Sequence, residues 1–193
     1  MALNTTPGDP AADSYASLVE ADAYFEGRAI TAWGDDDDAK EAALRRATTY
    51  LDNQYRDRWM GYRTNQLQSL AWPRIGAGGD SRFRYPGRDT FFVYGVIDPD
   101  GFEIGTDVVP QQVKTACMEA ALLIIGGATL EPTLERGGQI KSLSKGVGPL
   151  SKSVTYMDGA SPVNRYVVIE GSLRGLVKSM PGASSGNVSL VRA

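Results

Sequence analysis

Histidine is absent from all 193 residues. That removes the commonest general base and the commonest transition-metal ligand together, and it weakens most hydrolase and metalloenzyme readings. Cysteine occurs once, as Cys117 between Ala116 and Met118, so no disulfide can form within the chain and the thiol reads as a small hydrophobe. No apolar stretch approaches the ~20 residues of a membrane span, and Met1 to Ser14 has neither the basic start nor the apolar centre of an export signal, so the chain reads as soluble and unexported. Internal repeats and heptad arrays are also missing.

What is present suffices for one ordinary core: 42% of residues are hydrophobic, and a domain of this size buries roughly 70% of its extended surface. Charge is unevenly spread. Residues 1–60 carry 12 acids against 6 bases, residues 61–109 carry 6 against 5, and residues 110–193 carry 5 against 9. An acidic front and a basic rear suit subunits that stack head to tail, or one end that meets a charged partner.

The segment Gly95–Leu122 carries the strongest local signals. Asp98-Pro99-Asp100-Gly101 places Pro where a turn needs φ near −65° and Gly where positive φ is tolerated, which predicts a hairpin. Pro110 suits the first turn of a helix, and Ala116–Ile125 has a single charge, Glu119, so that helix needs cover on several sides. Upstream, Ser17 and Glu20 form a capping box for a short helix to about Gly27, and Asp38 and Glu41 repeat the signature for a longer one to about Tyr55. In the second helix Leu44, Ala47, Leu51 and Tyr55 form an apolar stripe, with Lys40, Glu41, Arg45, Thr48 and Asp52 expected to face outward. Pro73 disfavours helix at Trp72. Gly76–Tyr94, rich in Gly and Arg and without a helical period, reads as an exposed loop that becomes a strand at Phe91–Val93. Downstream, Gln139–Ser144 and Leu150–Tyr156 suggest a second hairpin, Val163–Ile169 reads as extended, and Ser172–Lys178 as a helical turn or two. The expected organisation is a flexible lead (1–16), a helical core (17–127) with the loop 76–94 and a hairpin at 91–104, a hairpin-containing extension (128–180) and an arm (181–193). The fold class is mainly α, a small helical bundle with β-hairpin extensions and an extended C-terminal arm.

Candidate chemical motifs each have a simpler explanation. Asp35–Asp38 precede a helix, where carboxylates cap N–H groups, and a contiguous run cannot point four side chains at one cation. Asp98, Asp100 and Glu103 resemble the opening of a calcium loop but lack its later ligands, so a turn is preferred. Gly76, Gly78 and Gly79 follow no strand and precede no Gly-Lys-Ser/Thr, unlike a phosphate loop. Ser142, Ser144, Ser151 and Ser153 beside Lys141, Lys145 and Lys152 conceivably form a Ser/Lys pair, but alternating Ser and Lys more often mark the wet face of a hairpin. The interleaved set Arg56, Arg58, Trp59, Tyr62, Arg63, Trp72 and Arg74, with Arg82, Phe83, Arg84, Tyr85 and Arg88, fits either stacking on single-stranded nucleic acid or a protein interface. An acidic chain lacks the broad positive footprint of a dedicated nucleic-acid binder, so the interface is preferred. No catalytic residue, cofactor site or metal site is assigned.

Several pieces occur together and in order: Ser14-Tyr-Ala-Ser-Leu-Val-Glu-Ala-Asp-Ala-Tyr24, Ala42-Ala-Leu-Arg-Arg-Ala-Thr-Thr-Tyr-Leu51, Leu70-Ala-Trp-Pro-Arg74, Gly95–Leu122, Ile140-Lys-Ser142, Val147-Gly-Pro149 and Ser153-Val-Thr-Tyr156. With them the sequence resembles the head-tail adaptor (connector) proteins of tailed bacteriophages, some of which are labelled single-stranded-DNA-binding proteins of the DnaT type. Gly76–Tyr94 departs from the pattern as an insertion, and residues after 160 match loosely. The resemblance implies a structural subunit made in the host bacterial cytoplasm and placed at the head-tail interface of the virion. There it would form a ring of roughly twelve copies under the portal protein, touch a tail or tail-completion protein, and let double-stranded DNA pass without specific binding, with no membrane involved. Trp59, Tyr62, Arg63, Trp72, Arg74, Val188, Leu190 and Val191 are the candidate subunit or portal contacts. The alternatives are a single-stranded-DNA-binding replication protein of the DnaT type and an unrecognised hydrolase.

Overall fold

Four acids, Asp35–Asp38, stand at the start of the longest helix among the described residues, and one of them, Asp36, is its cap. The computed structural model describes residues 2–76, 95–130, 140–145, 152–156 and 166–178. Its elements are α1 (Leu18–Glu26), a 3-10 turn (Thr31–Trp33), α2 (Asp37–Tyr55), β1 (Tyr62–Arg63), β2 (Arg74–Ile75), α3 (Gln111–Ile125), β3 (Ile140–Lys145), β4 (Lys152–Tyr156) and α4 (Val167–Ser172). The chain is mainly helical, as its sequence predicts. No helix among the described residues is long and apolar enough to cross a membrane.

The helix ends follow from local chemistry. Asp36 caps α2 by accepting from the N–H groups of Asp38 and Ala39, while Asp37 and Asp38 occupy the first turn, where the helix dipole favours negative charge. The cap therefore lies two residues before the expected Asp38, because the first side chain able to reach free N–H groups takes the role. In α1 the predicted box is complete: Ser17 Oγ accepts from the Glu20 N–H at 3.2 Å, and the Ser17 N–H donates to Glu20 Oε2 at 2.9 Å. Pro110 is the N-cap of α3, one position outside the helix. Gly126 and Gly127 end it. With Gly127 at φ +83°, the N–H groups of Gly127 and Ala128 bond back to the carbonyls of Ile124 and Leu123, the Schellman arrangement.

Packing supplies the cover that α3 requires. It lies against α2 on one side and α4 on another, burying Val113, Ala116, Cys117, Met118, Ala120 and Ala121. The facing stripe of α2 includes the predicted Leu44, Ala47, Leu51 and Tyr55, with Ala43 beside them. Lys40 and Thr48, expected on the outer face, are buried. Lys40 stretches its ammonium to Asp22 (3.0 Å) and Asp37 (3.5 Å), so its charge is met where its stem is covered. Thr48 Oγ1 accepts from the Tyr15 N–H at 3.2 Å and lies 3.3 Å from Cys117 Sγ, so its hydroxyl is satisfied inside the helix pair.

The ends of the described chain fold onto this bundle. Where a flexible lead is expected, Ala12, Ser14, Tyr15 and Ala16 are buried, and Ser69 Oγ donates to the Ala12 carbonyl. The apolar contacts of Tyr15 and Ala16 outweigh the loose character usual for a terminus. Val167–Ser172 is helical where the sequence reads as extended, and residues 173–178 form turns instead of the expected helix. Ile169, Leu173 and Leu176, all fully buried, recur at helical spacing, and their packing against α3 overrides the β preference of Val167 and Val168. The chain then runs back along the end of α2. Lys178 N–H donates to the Arg58 carbonyl (2.7 Å), Met60 N–H to the Leu176 carbonyl (2.9 Å), and Trp59 bridges Val177.

Two small antiparallel units complete the molecule. In the first, Tyr62 pairs with Ile75, Ile75 bridges Gly95, and the predicted hairpin closes through Asp98 N–H to the Phe102 carbonyl (2.9 Å) and Gly101 N–H to the Asp98 carbonyl (3.1 Å). Gly101 takes φ +90°, as the turn sequence requires. A Cβ on Gly175 would fall 2.0 Å from Pro99 Cγ, so a glycine is what lets the hairpin tip rest on the C-terminal segment. The second unit is the predicted hairpin of β3 and β4, paired antiparallel with Ser142 opposite Thr155 and Lys145 opposite Lys152. The loop at 77–94, its strand at Phe91–Val93 and the arm 181–193 lie outside the described residues.

Removing the Ser17 cap tests this account of α1. Ser17→Ala is expected to lower stability by about 1 kcal/mol, measured as a shift of the urea midpoint at unchanged slope.

Candidate functional site

The residues singled out from the sequence as contacts divide into three groups. Trp59 and Trp72 are 1% and 0% exposed and meet edge to face at 6.0 Å, with Tyr55 a further 5.6 Å from Trp59. They are core residues, not surface contacts: a large ring gains more from burial in its own chain than an Arg-rich neighbourhood in sequence suggests. Arg74 is also buried, and its guanidinium donates to the carbonyls of Met60 (2.7 Å), Ala71 (3.1 Å) and Gly61 (2.5 Å). Tyr62 and Arg63 are exposed, and Arg63 donates to the Gln68 carbonyl at 2.9 Å. Val188, Leu190 and Val191 lie outside the described residues, as do Arg82, Phe83, Arg84, Tyr85 and Arg88.

Around Arg74 a polar cluster fastens the Leu70–Arg74 segment to the bundle. Tyr15 Oη donates to Asp52 Oδ1 and accepts from the N–H groups of Ala71 (3.1 Å) and Trp72 (3.4 Å), while Asp52 Oδ2 accepts from Ala71 N–H at 2.9 Å. Gln68 completes it, accepting from Asn65 N–H and donating to the carbonyls of Leu70 and Pro73. Burial drives the Tyr15 hydroxyl well above its ordinary value, with the Asp52 charge adding to the shift. Burial also raises Asp52, against the bonds from Tyr15 and Ala71 and the charges of Arg74 and Arg63, and it lowers Arg74. Sequence reasoning placed Asp52 on an outward face and gave no role to Tyr15 or Gln68. The signal for them lies in tertiary pairings that no helical period reports.

This cluster lacks the free groups of an active site. A shallow depression of about 390 Å³ is lined by Asp13, Arg45, Asp52 and Asn53 among others, but both carboxylates are engaged. Asp13 accepts from Asn4 N–H (2.8 Å) and Arg45 Nε (2.7 Å), and Asp52 is held as above. Asp98 and Glu103 serve the hairpin. Asp98 Oδ1 accepts from the N–H groups of Asp100 and Phe102, and Glu103 Oε1 from Gly95 N–H. Cys117 is buried, which raises its thiol to about 11 and makes it a poor nucleophile. Among the described residues no group of three or more acids or cysteines is placed to hold a metal ion.

Some large apolar side chains remain at the surface. Tyr62, Leu67, Ile97, Phe102 and Val108 are all exposed, Tyr62, Leu67 and Phe102 by 65%, 72% and 71%, and all belong to the segment carrying β1, β2 and the 95–104 hairpin. Among the described residues Val19, Val167 and Val168 are exposed as well, so five of the eight exposed large apolar side chains fall between residues 62 and 108, where they are available for association.

Two acid-range tests address the titrating groups. Tyr15→Phe takes from Trp72 N–H its acceptor and from Asp52 Oδ1 its donor, and is expected to cost about 1–3 kcal/mol by chemical denaturation. Asp52 has a raised folded pKa, so its contribution to stability grows as pH falls through that value; Asp52→Asn is expected to steepen acid destabilisation. Burial also acts to raise Glu20, but bonds from Lys114 and Ser17 outweigh it and leave its pKa lowered. Its contribution is present above the unfolded value of 4.5 and is lost as pH falls through the folded one. Glu20→Gln is therefore expected to flatten the acid limb of a stability-against-pH curve.

No curated protein matches the chain, and no solved structure matches it. A family model does, over residues 1–87 and 94–193. On that match the chain belongs to the family described as "Putative DnaT-like ssDNA binding protein".

Proposed function

We propose that the chain is a structural head-to-tail adaptor of a tailed bacteriophage, a subunit of a ring of roughly twelve copies that lies below the portal, extends the DNA channel and connects capsid to tail. The observation that supports this reading is the exposure of Tyr62, Leu67, Ile97, Phe102 and Val108, five of the eight exposed large apolar side chains among the described residues, together with polar groups occupied in structural bonds. A subunit that works by association needs the first and has no use for free catalytic groups. The acidic front and basic rear support heterologous contacts between copies. Tyr62 and Arg63 are assigned to that surface, and Val188, Leu190 and Val191 to an arm that docks on a neighbouring copy or the portal as an added strand. Catalysis and cofactors have no part in this proposal, and the site of action is the virion.

The family description favours a second reading, a single-stranded-DNA-binding replication protein. Sequence-tolerant single-strand binders stack bases on exposed rings beside a basic groove. Here Trp59 and Trp72 are consumed by the core, and residues 1–60 carry twice as many acids as bases. These features weigh against strong binding by the described face.

Cryo-electron microscopy of virions is expected to show a closed ring containing this chain; a lone copy or an open filament sinks the adaptor. Titration with labelled single- and double-stranded oligonucleotides at physiological salt is expected to give weak binding without strand preference. Sub-micromolar selectivity for single strands would instead establish the replication reading. Truncation after Met180 is expected to leave the melting temperature of the isolated subunit unchanged and to abolish its incorporation into particles.

A further inference from the structure

The tip of the 95–104 hairpin carries an aromatic ring among acids. Phe102 is 71% exposed. Asp98, Asp100 and Glu103 stand around it, and no Lys or Arg occurs between Gly95 and Val113. The turn is a built one: Asp98 Oδ1 accepts from the N–H groups of Asp100 (3.0 Å) and Phe102 (2.8 Å), and Glu103 Oε1 accepts from Gly95 N–H (2.7 Å). The Asp100 carboxylate is exposed and has no bond or ion pair among the described residues.

A second place on the same chain has the complementary character. A depression of about 350 Å³ opens between α2 and the end of α3. Tyr50, Ile124 and Leu130 give it apolar walls, Arg45, Arg46 and two threonines line the rest, and no acid among the described residues does. Arg45 is held by Asp13 (2.7 Å) and Glu41 (3.4 Å), so its charge is met. Arg46 is exposed and forms no ion pair among the described residues. The adjoining depression beyond Arg45 has Asp13 and Asp52 in its lining, and carboxylates disfavour an acidic guest.

Within one subunit the tip is seated elsewhere. Pro99 rests on Gly175, and residues 176–178 are bonded to 58–60, beyond the end of α2. From Arg46 to Tyr55 the helix runs about 14 Å, so a tip fixed beside the end of α2 leaves the depression on its flank for another chain.

We infer that the hairpin tip of one copy enters this depression on the next, with Phe102 against Tyr50, Ile124 and Leu130 and Asp100 toward Arg46. An aromatic side chain in an apolar pocket with a charged pair at its rim is how interface anchors are arranged. Tip and depression are different parts of the chain, so the contact is heterologous and repeats from copy to copy, as ring closure requires. The inference rests on the adaptor reading, whose ring it supplies with a contact.

Virions and the purified full chain carrying F102C/T129C are oxidised mildly beside each single variant. The native thiol, Cys117, is buried, so the engineered pair reports alone. The double variant is expected to give a ladder of disulfide-linked multimers of this chain, and each single variant at most a dimer. In sedimentation over a concentration series, F102A is expected to weaken self-association by about tenfold or more, R46E and D100R by about 2–5-fold each, and R46E/D100R to recover most of that loss. Arg46, Asp100, Phe102 and Thr129 are all exposed, and circular dichroism confirms the fold of each variant. Where the purified chain is monomeric, the same variants are read by their incorporation into particles. A ring in virions without the ladder, or F102C linked to a different virion protein, overturns the contact and leaves the adaptor reading standing. A ladder in solution with no ring in virions supports the contact and sinks the adaptor. No ladder in either setting and no ring overturn both.

Discussion

One guanidinium holds together parts of the backbone that would otherwise have no reason to meet. Arg74 donates to the carbonyls of Met60 and Gly61, which follow α2, and of Ala71, which precedes the arginine itself. The group acts as a cap for irregular chain, supplying donors that a regular strand would supply by pairing. Burying a charge is expensive unless its hydrogen bonds are made and a field of opposite sign is near. Here the carbonyl dipoles and the Asp52 charge provide both. From that anchor the rest follows: Trp72 is presented to Trp59, Ala71 is set for Tyr15 and Asp52, and β2 is aligned to β1.

The price of the arrangement is visible in the aromatic core. The indole N–H groups of Trp59 and Trp72 are buried without an acceptor, a cost of about 1–3 kcal/mol for each orphaned donor. Both rings stay because their apolar area is large and because they fill the junction between the end of α2 and the 70–74 segment. Arg58 Nη1 beside them is likewise buried without a partner, while the bonds of Tyr15, Asp52 and Gln68 fix the junction in one geometry and the tryptophans supply its bulk.

How much of this could be read from the sequence depended on the range of the interaction. The capping box at Ser17 and Glu20 and the turn at Asp98–Gly101 are set by neighbours within a few residues, and each is found as read. The stripe of α2 was legible for the same reason. Lys40, Thr48 and Asp52 were misplaced because a polar residue at the margin of a stripe is outward only if nothing folds over it, and Asp22, Cys117 and Tyr15 come from elsewhere in the chain. The helical α4 was missed because Val167 and Val168 are β-prone, whereas the contacts that decide its form lie on α3. For the candidate surface, Tyr62 and Arg63 are exposed, but Trp59, Trp72 and Arg74 are internal. Alternation of aromatic and basic residues is shared by interfaces and by cation-capped cores, and only tertiary structure separates the two.

The pairing of residues 176–178 with 58–60 spans 120 positions of sequence at the Arg58–Lys178 contact. During synthesis at about 5–20 residues per second, α2 leaves the ribosome well before the segment that covers its end. Until Leu176 and Val177 emerge, Trp59 has no strand beside it, and the apolar end of α2 stays open to other chains. Closure is thus a late, non-local event whose entropic cost falls on the last part of the described fold to be made. A polysome translating several copies would hold many such open ends close together, so the interval before closure is when the nascent chain is most prone to wrong association and when a chaperone has most to cover.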